Sequence, residues 1–442
     1  MRYFLLIENK QIVIMNQVKK YNPQNQSSIW KRQNMTFSEL QLTTRLFLEK
    51  IRFFFIIYFF FLLGFFVFPS THWHNNLFYG LVLFPYVVTL QSKSIKMICR
   101  SNLWVISIIF ACYMCSTLLW ADNAVFKDYV YYFRRIIYLF VFLSLTIDLV
   151  LRYPKFIDYL FVFLCWAAAI TAIVSIFWFY SSFSFPLQRL RFLGDQVRNS
   201  IVGANVYGMV ALVCYFQVLK TKKSFVWIYS GLLVVILLSV GLTQSRGPLG
   251  ALLVTFLIGA ILTKDKTLFA TVLCVILCGG LLFFYNDGIK EMILHRGLSY
   301  RLEVWHQTLS RIKEVLLFGE GVSTNNTFIM ADGIKLEHPH NVYLATTLYG
   351  GLMGLFLLLI LQIMALWEGF LCFRRENDFT YVALLLFAFI SITTMNYRVI
   401  SHPDALWIYF WLPIALLAAK KLSINMAVKS FNHKADQAKP KE

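Results

Sequence analysis

His338-Pro339-His340-Asn341 opens a stretch that runs through nine residues, Val342 to Gly350, into Gly351-Leu352-Met353-Gly354 and then Leu355-Phe356-Leu357-Leu358-Leu359-Ile360-Leu361. With its neighbours the apolar run is long enough to enter a bilayer, which takes about 20 residues. A Pro and polar residues just before such a run are helix-start signals. Gly350 and Gly354 form a small-xxx-small pair that lets another membrane helix approach closely. The stretch predicts a membrane helix that starts beside a neutral-pH proton acceptor at the membrane–water boundary.

The rest of the chain supplies the context for that helix. Of 442 residues, 59% are hydrophobic, 17% aromatic and 14% charged, whereas soluble domains carry about 25% charged residues. The excess is gathered into continuous apolar runs rather than alternating ones, so an all-α polytopic membrane protein is expected and a β-barrel is not. The net charge of +19 could suggest nucleic acid, but no basic stripe interleaved with aromatics occurs in a soluble segment. The Cys residues lie in or beside apolar runs, so no disulfide framework is expected, and Cys112-x-x-Cys115 reads as buried small residues within a span.

Twelve spans are expected, at 51–69, 76–91, 102–120, 134–151, 156–180, 201–219, 224–242, 246–263, 267–285, 341–372, 379–396 and 404–420. Residues 1–50 read as a cytoplasmic tail in which Met15 or Met35 could also start translation, and 421–442 as a second tail. Nine spans then fill 51–285, a long external loop covers 286–340, and three spans fill 341–420. The charges agree with this order. Lys93, Lys96, Arg100, Arg152, Lys155, Lys220, Lys222, Lys223, Lys264, Lys266, Arg374 and Arg375 all fall in the inside loops. His72, His74, His295, His306, His338, His340 and His402 fall outside, and His433 inside. In the external loop, Leu302, Trp305, Leu309, Ile312 and Leu316 recur at helical spacing, which predicts an amphipathic helix on the membrane surface. Phe318-Gly319-Glu320-Gly321 should end it in a Gly-rich turn.

External arginines run against the charge rule. Arg246 lies in Thr243-Gln244-Ser245-Arg246-Gly247-Pro248, at a short external turn, and Arg301 opens the amphipathic helix. An Arg at membrane depth either faces a cavity or partner or snorkels to headgroups. A diphosphate suits it, because the guanidinium fork meets phosphate oxygens in pairs. Arg189 and Arg198 are as readily headgroup contacts, and Arg189→Ala is expected to be tolerated.

His340 has the intrinsic pKa of a general base. A helix N-terminus disfavours its protonated form and favours bound phosphate. Asn341 should support the helix start, and His338 is expected to point elsewhere. Glu303, Glu320 and Glu337 are possible orienting carboxylates or ordinary loop charges. No metal-ligand set and no cofactor motif is visible.

These elements, in order, resemble the O-antigen ligase and polymerase superfamily. Arg191-x-x-Gly194 with Asn205 and Gly208, Ser245-Arg246-Gly247, Arg301-x-x-x-Trp305 through Gly319-x-Gly321, and His340-Asn341 to Gly351-x-x-Gly354 match its pattern over about residues 190–360. The sequence has Leu316-Leu317-Phe318 where a Pro is common. The resemblance implies a metal-independent, inverting glycosyl transfer at the periplasmic face of the bacterial inner membrane. The donor would be a glycan on undecaprenyl diphosphate and the acceptor a sugar hydroxyl of lipid A-core. Arg246 and Arg301, with Arg191, would hold the diphosphate, and His340 would activate the hydroxyl. A polymerase or a protein O-oligosaccharyltransferase with the same donor is an alternative. So is a transporter of lipid-linked or anionic solutes, which would place charges or broken helices mid-span.

The topology is directly testable. Reporter fusions at Lys335 and at the C-terminus should give opposite compartment signals; equal signals would contradict this arrangement of spans.

Overall fold

The structure, a computed structural model, describes residues 46, 48, 52–122, 124–186, 188–264, 273, 300–324, 327–394 and 398–437. The chain divides into Met1–Arg52 and Phe53–Glu442, and everything below concerns the second unit. The expected span 267–285, Cys274, Cys278 and His295 lie outside the described residues.

Helices α1 (Phe53–Val67) and α2 (Thr71–Leu77) open the bundle; a π-helical stretch (Phe78–Leu83) carries α2 into α3 (Phe84–Thr89). This second span starts earlier than expected because Ser70 caps it, its Oγ accepting from His72 N at 3.2 Å. There follow α4 (Ser92–Ile98), α5 (Asn102–Ser116), α6 (Phe126–Arg152), α7 (Phe156–Tyr180), α8 (Ser200–Lys220), α9 (Lys223–Leu242) and α10 (Arg246–Thr263). Helix α6 begins well before the expected 134, since Asp128 caps it by accepting from Val125 N. Next come α11 (Arg301–Glu314), α12 (Val342–Glu376), α13 (Thr380–Ser391) and, through a π-helical Trp407–Trp411, α14 (Leu412–Gln437). The strands among the described residues are β1 (Phe328–Ile329) and β2 (Lys335–Leu336), antiparallel, with Phe328 opposite Leu336. Seven described helices are long and apolar enough to cross a membrane, so this is an all-α polytopic membrane protein.

Aromatic packing fixes the centre of the bundle. Trp407 is fully buried among Phe142, Phe78 and Phe61, at ring-centroid distances of 4.7, 5.2 and 6.3 Å. Nearby polar groups are paired across helices: Tyr58 with Thr146 (2.7 Å), and Trp104 Nε1 donating to Ser144 (3.1 Å). At one end of the bundle the basic residues that set the expected topology meet carboxylates. Lys220 pairs with Asp378 at 2.6 Å, Lys420 with Glu376 at 3.0 Å, and Lys421 with Glu368.

Helix α12 is broken. Gly351 has φ 63° and ψ −167°, a conformation open essentially to glycine. The loop after α11 docks into the break and takes over the hydrogen bonds that the helix gives up. Glu320 N and Gly321 N donate to Leu348 O (2.8 Å) and Tyr349 O (2.9 Å). Leu352 N and Met353 N donate to Leu316 O (2.8 Å) and Leu317 O (3.3 Å), and Tyr113 OH donates to Gly350 O at 2.6 Å. Contact is close enough that a Cβ on Gly319 would lie 2.5 Å from Gly351 N. The neighbour that the Gly350–Gly354 pair admits is α5, whose Met114 Sδ would lie 2.7 and 3.2 Å from Cβ atoms added there.

Helix α11 forms as expected and lies against the protein by Val304, Thr308 and Ile312. Leu302, Leu309 and Leu316, at seven-residue spacing, are exposed, which leaves an apolar stripe for the membrane surface.

Gly351→Ala should lower stability by roughly 2–5 kcal/mol, combining backbone strain with a clash at Leu317 O. Gly250→Ala, within α10 and with nothing near an added Cβ, should be neutral or stabilising by up to about 1 kcal/mol. Thermal unfolding in detergent distinguishes them; equal Tm values would contradict the docked break.

Candidate active site at the start of the broken helix

The first turn of α12 is built by Asn341. Its backbone is extended (φ −147°, ψ 117°), and its Oδ1 accepts from Tyr343 N (2.9 Å) and Leu344 N (3.2 Å). Asn341 is thus the N-cap, and it satisfies two donors that would otherwise be orphaned. Val342 N donates to Ile392 O at 3.1 Å. The leading N–H groups are therefore already engaged. This corrects the expectation that the helix terminus itself would offer them to a phosphate; an anion here must be met by side chains.

His340, immediately before the cap, has φ 52°. Gln244, Lys264 and Asn377 share that left-handed conformation, but at the C-terminal ends of helices, where it is common. His340 has no such excuse and carries strain of about 1–3 kcal/mol, of the kind found at functional sites. The turn is held from the side by α11, whose Trp305 Nε1 donates to Pro339 O at 2.9 Å. His338 does not point elsewhere as expected: its ring meets that of His340 edge-on, with centroids 4.0 Å apart. Proline between them and the left-handed turn bring the two rings to one side.

Burial and neighbouring cations lower the basicity of both imidazoles. Partial burial, and then the nearby Arg301 cation, lower the pKa of His340. Burial, then His340 and Arg398, push His338 down to about 4. A neutral ring can accept a proton at physiological pH. Arg301, half-buried at the start of α11, makes no ion pair among the described residues, and burial lowers its own pKa.

Arg246 opens α10 and is exposed. Its turn is zipped to the segment that precedes α8: Leu190 N donates to Leu242 O (3.0 Å), Gln244 Nε2 to Pro186 O (2.9 Å) and Ser245 Oγ to Ser200 O (3.1 Å). Arg189 is part of that zip, donating to Thr243 O at 2.9 Å and to Ser245 Oγ at 3.0 Å. Its expected tolerance to Ala is therefore revised, since charged hydrogen bonds of this kind are worth about 1.5–3 kcal/mol. Arg191 follows on the same segment, exposed, while Phe192 beside it stacks on Tyr207 at 3.8 Å. Asn205 is fully buried, and its amide has no hydrogen-bond partner among the described residues.

Both turns abut one short stretch. A Cβ on Gly247 would lie 2.3 Å from Thr394 Oγ1, and Ile392 O receives Val342 N. Arg246 and the His340 turn thus share the end of α13, and Arg301 joins from α11. No described contact joins Arg246 or Arg191 to His340 itself. Two of the candidate carboxylates are used structurally: Glu320 binds Arg311 through both oxygens, and Glu303 Oε1 accepts from Ala331 N at 2.8 Å. Glu337 is exposed beside His338. Among the described residues no three His, Cys, Asp or Glu side chains converge.

Arg398 was missed from sequence, although it sits in a connection expected to be external and so meets the criterion that singled out Arg246. It reaches Tyr132 OH with Nη1 at 3.4 Å.

Residues 231–359 match the profile of the family described as O-Antigen ligase. That window takes in the Arg246 turn, α11, His340 and the break at Gly351. A curated O-antigen ligase from Pseudomonas aeruginosa is 27% identical over 356 residues, which is 78% of this chain and 85% of that protein. Within a polytopic helical fold that carries this ordered set of turns, the two matches make the chain similar to the O-antigen ligase family.

Proposed function

We propose that the protein transfers a glycan from undecaprenyl diphosphate to a sugar hydroxyl of lipid A-core, at the periplasmic face of the bacterial inner membrane. The observation that carries this reading is His340: half-buried, held in a strained turn, and made less basic by burial and by the Arg301 cation. His340 accepts the proton of the acceptor hydroxyl as its oxygen attacks the anomeric carbon. The bond from that carbon to the diphosphate breaks on the opposite face, so the configuration inverts. Arg301 and Arg246, with Arg191, hold the departing diphosphate, where charge grows most in the transition state. The reading gives this work to side chains and to no cofactor.

Ligase is preferred to polymerase and to protein O-oligosaccharyltransferase because the curated relative carries the ligase name. The break at Gly351 is a feature transporters also use, leaving half-helix backbone groups to meet solute. Here those groups are already bonded to the 316–321 loop and to Tyr113, which favours the enzyme.

His340→Ala should lose about 10²–10⁴-fold in transfer, the usual worth of a general base, while still inserting normally. His338→Ala should fall between it and wild type. Arg246→Ala and Arg301→Ala should abolish transfer, with Lys a poor rescue because it is only a point charge. Activity in both His variants at normal expression would sink the site, and full activity in both Arg→Lys variants would reduce those residues to helix anchors.

The pH profile adds a signed test. Burial and Arg301 lower the His340 pKa, so the base form persists below the ordinary value of about 6.5. The acidic limb of kcat/KM should therefore have its midpoint under that value, and a midpoint above it would contradict the assignment.

A further inference from the structure

On the Arg398 side of the histidine pair the protein encloses a cavity of about 510 Å³, within the range of small-molecule sites. Asp128, Tyr131, Tyr132, Thr327, Glu337 and Arg398 are among the residues that line it. Glu337 is the chain neighbour of His338, and Arg398 is close enough to His338 to disfavour its protonation. The cavity therefore lies beside His338, whose ring in turn meets that of His340.

Its lining has a definite chemistry. The exposed ring of Tyr131 offers an aromatic surface, the buried ring of Tyr132 stands edge-on to it, and hydroxyls and carboxylates surround them. Behind the rings lies Arg135, 1% exposed, its guanidinium 3.7 Å from the centroid of Tyr131 and 4.9 Å from that of Tyr132. Its Nε and Nη1 have no hydrogen-bond partner among the described residues. Asp404 lies near enough to offset part of this charge, while Arg398 adds to it. Tyr132 OH donates to Val322 O at 2.7 Å, which fixes the wall in place. Two guanidinium groups thus bias one side toward an anion, while Asp128 and Glu337 on the lining can accept hydrogen bonds from sugar hydroxyls. An exposed aromatic ring, hydroxyl-binding carboxylates and an arginine together suit an acidic saccharide.

The two histidines have different cationic neighbours, Arg301 for His340 and Arg398 for His338. If Arg301 serves the diphosphate of the donor, as proposed above, the Arg398 side is left for the second substrate. We infer that this cavity is the subsite for the acceptor saccharide, with an anionic substituent of the acceptor core against Arg398 and its hydroxyls on Glu337 and Asp128. The inference rests on the transferase reading and adds the place and charge of the acceptor to it.

The test uses the full-length protein in proteoliposomes, with an undecaprenyl-diphosphate-linked glycan as donor and purified lipid A-core as acceptor, each titrated separately. Arg398→Gln should raise the acceptor KM at least about tenfold, the loss of one charge-assisted contact of about 1.4 kcal/mol, and leave the donor KM near wild type. Arg398→Lys should recover part of the loss. Because Arg398 also touches Tyr132, Thr327→Trp serves as a second variant. It fills the cavity from an exposed position, should fold normally, and should raise the same KM. A rise confined to the donor KM would put the donor glycan in the cavity, and wild-type values in both variants would mean that neither substrate uses it; either result overturns the inference. An active His340→Ala would instead bring down the transferase reading beneath it.

Discussion

The structure depends on the interrupted hydrogen-bond ladder at Gly351. A helix that breaks within a membrane protein strands backbone donors and acceptors, and each one left unpaired in an apolar setting costs several kcal/mol. Five such groups, on Leu348, Tyr349, Gly350, Leu352 and Met353, find partners in the 316–321 loop and Tyr113. The break and the loop are therefore stable only together. Because α11 leads directly into that loop, the docking fixes Arg301 and Trp305 relative to the helix that starts beside His340. Trp305 then closes the arrangement by donating to Pro339 O.

The same logic of occupied donors decides the electrostatics. Asn341 and Ile392 take up the first N–H groups of α12, so an anion cannot use them and arginine side chains must serve instead. Arg301 is placed where its charge lowers the basicity of His340. A less basic imidazole is a weaker acceptor but is present in the right form at neutral pH, which is the compromise a general base requires. The strained φ of His340 is what sets its ring against that of His338.

Much of this was legible in the sequence. Apolar runs and terminal basic residues gave an all-α membrane protein, and the spacing of α11 and the cap at Asn341 followed from local signals. Gly350 and Gly354 were rightly read as a close-packing pair. Gly351 was read as part of a helix, because nothing local distinguishes a glycine that packs from one that breaks the chain; the partner loop lies 30 residues upstream. His338 was expected to turn away, since residues two apart diverge on a helix; the left-handed residue at His340 brings the rings together instead. Arg189 and Arg398 were misjudged or missed for a related reason: their partners, Ser245 and Tyr132, are distant in sequence. Pairing across the fold decides whether an external arginine is a strut or a ligand.

The central claim is that a lipid diphosphate is held by Arg246 and Arg301 beside a neutral His340. The most direct measurement is an electron cryomicroscopy structure of the protein in lipid nanodiscs with undecaprenyl diphosphate. The account predicts diphosphate oxygens within about 3 Å of both guanidinium groups, with the His340 ring facing the position of the anomeric carbon. A diphosphate bound away from both arginines, with His340 turned from it, would contradict the account.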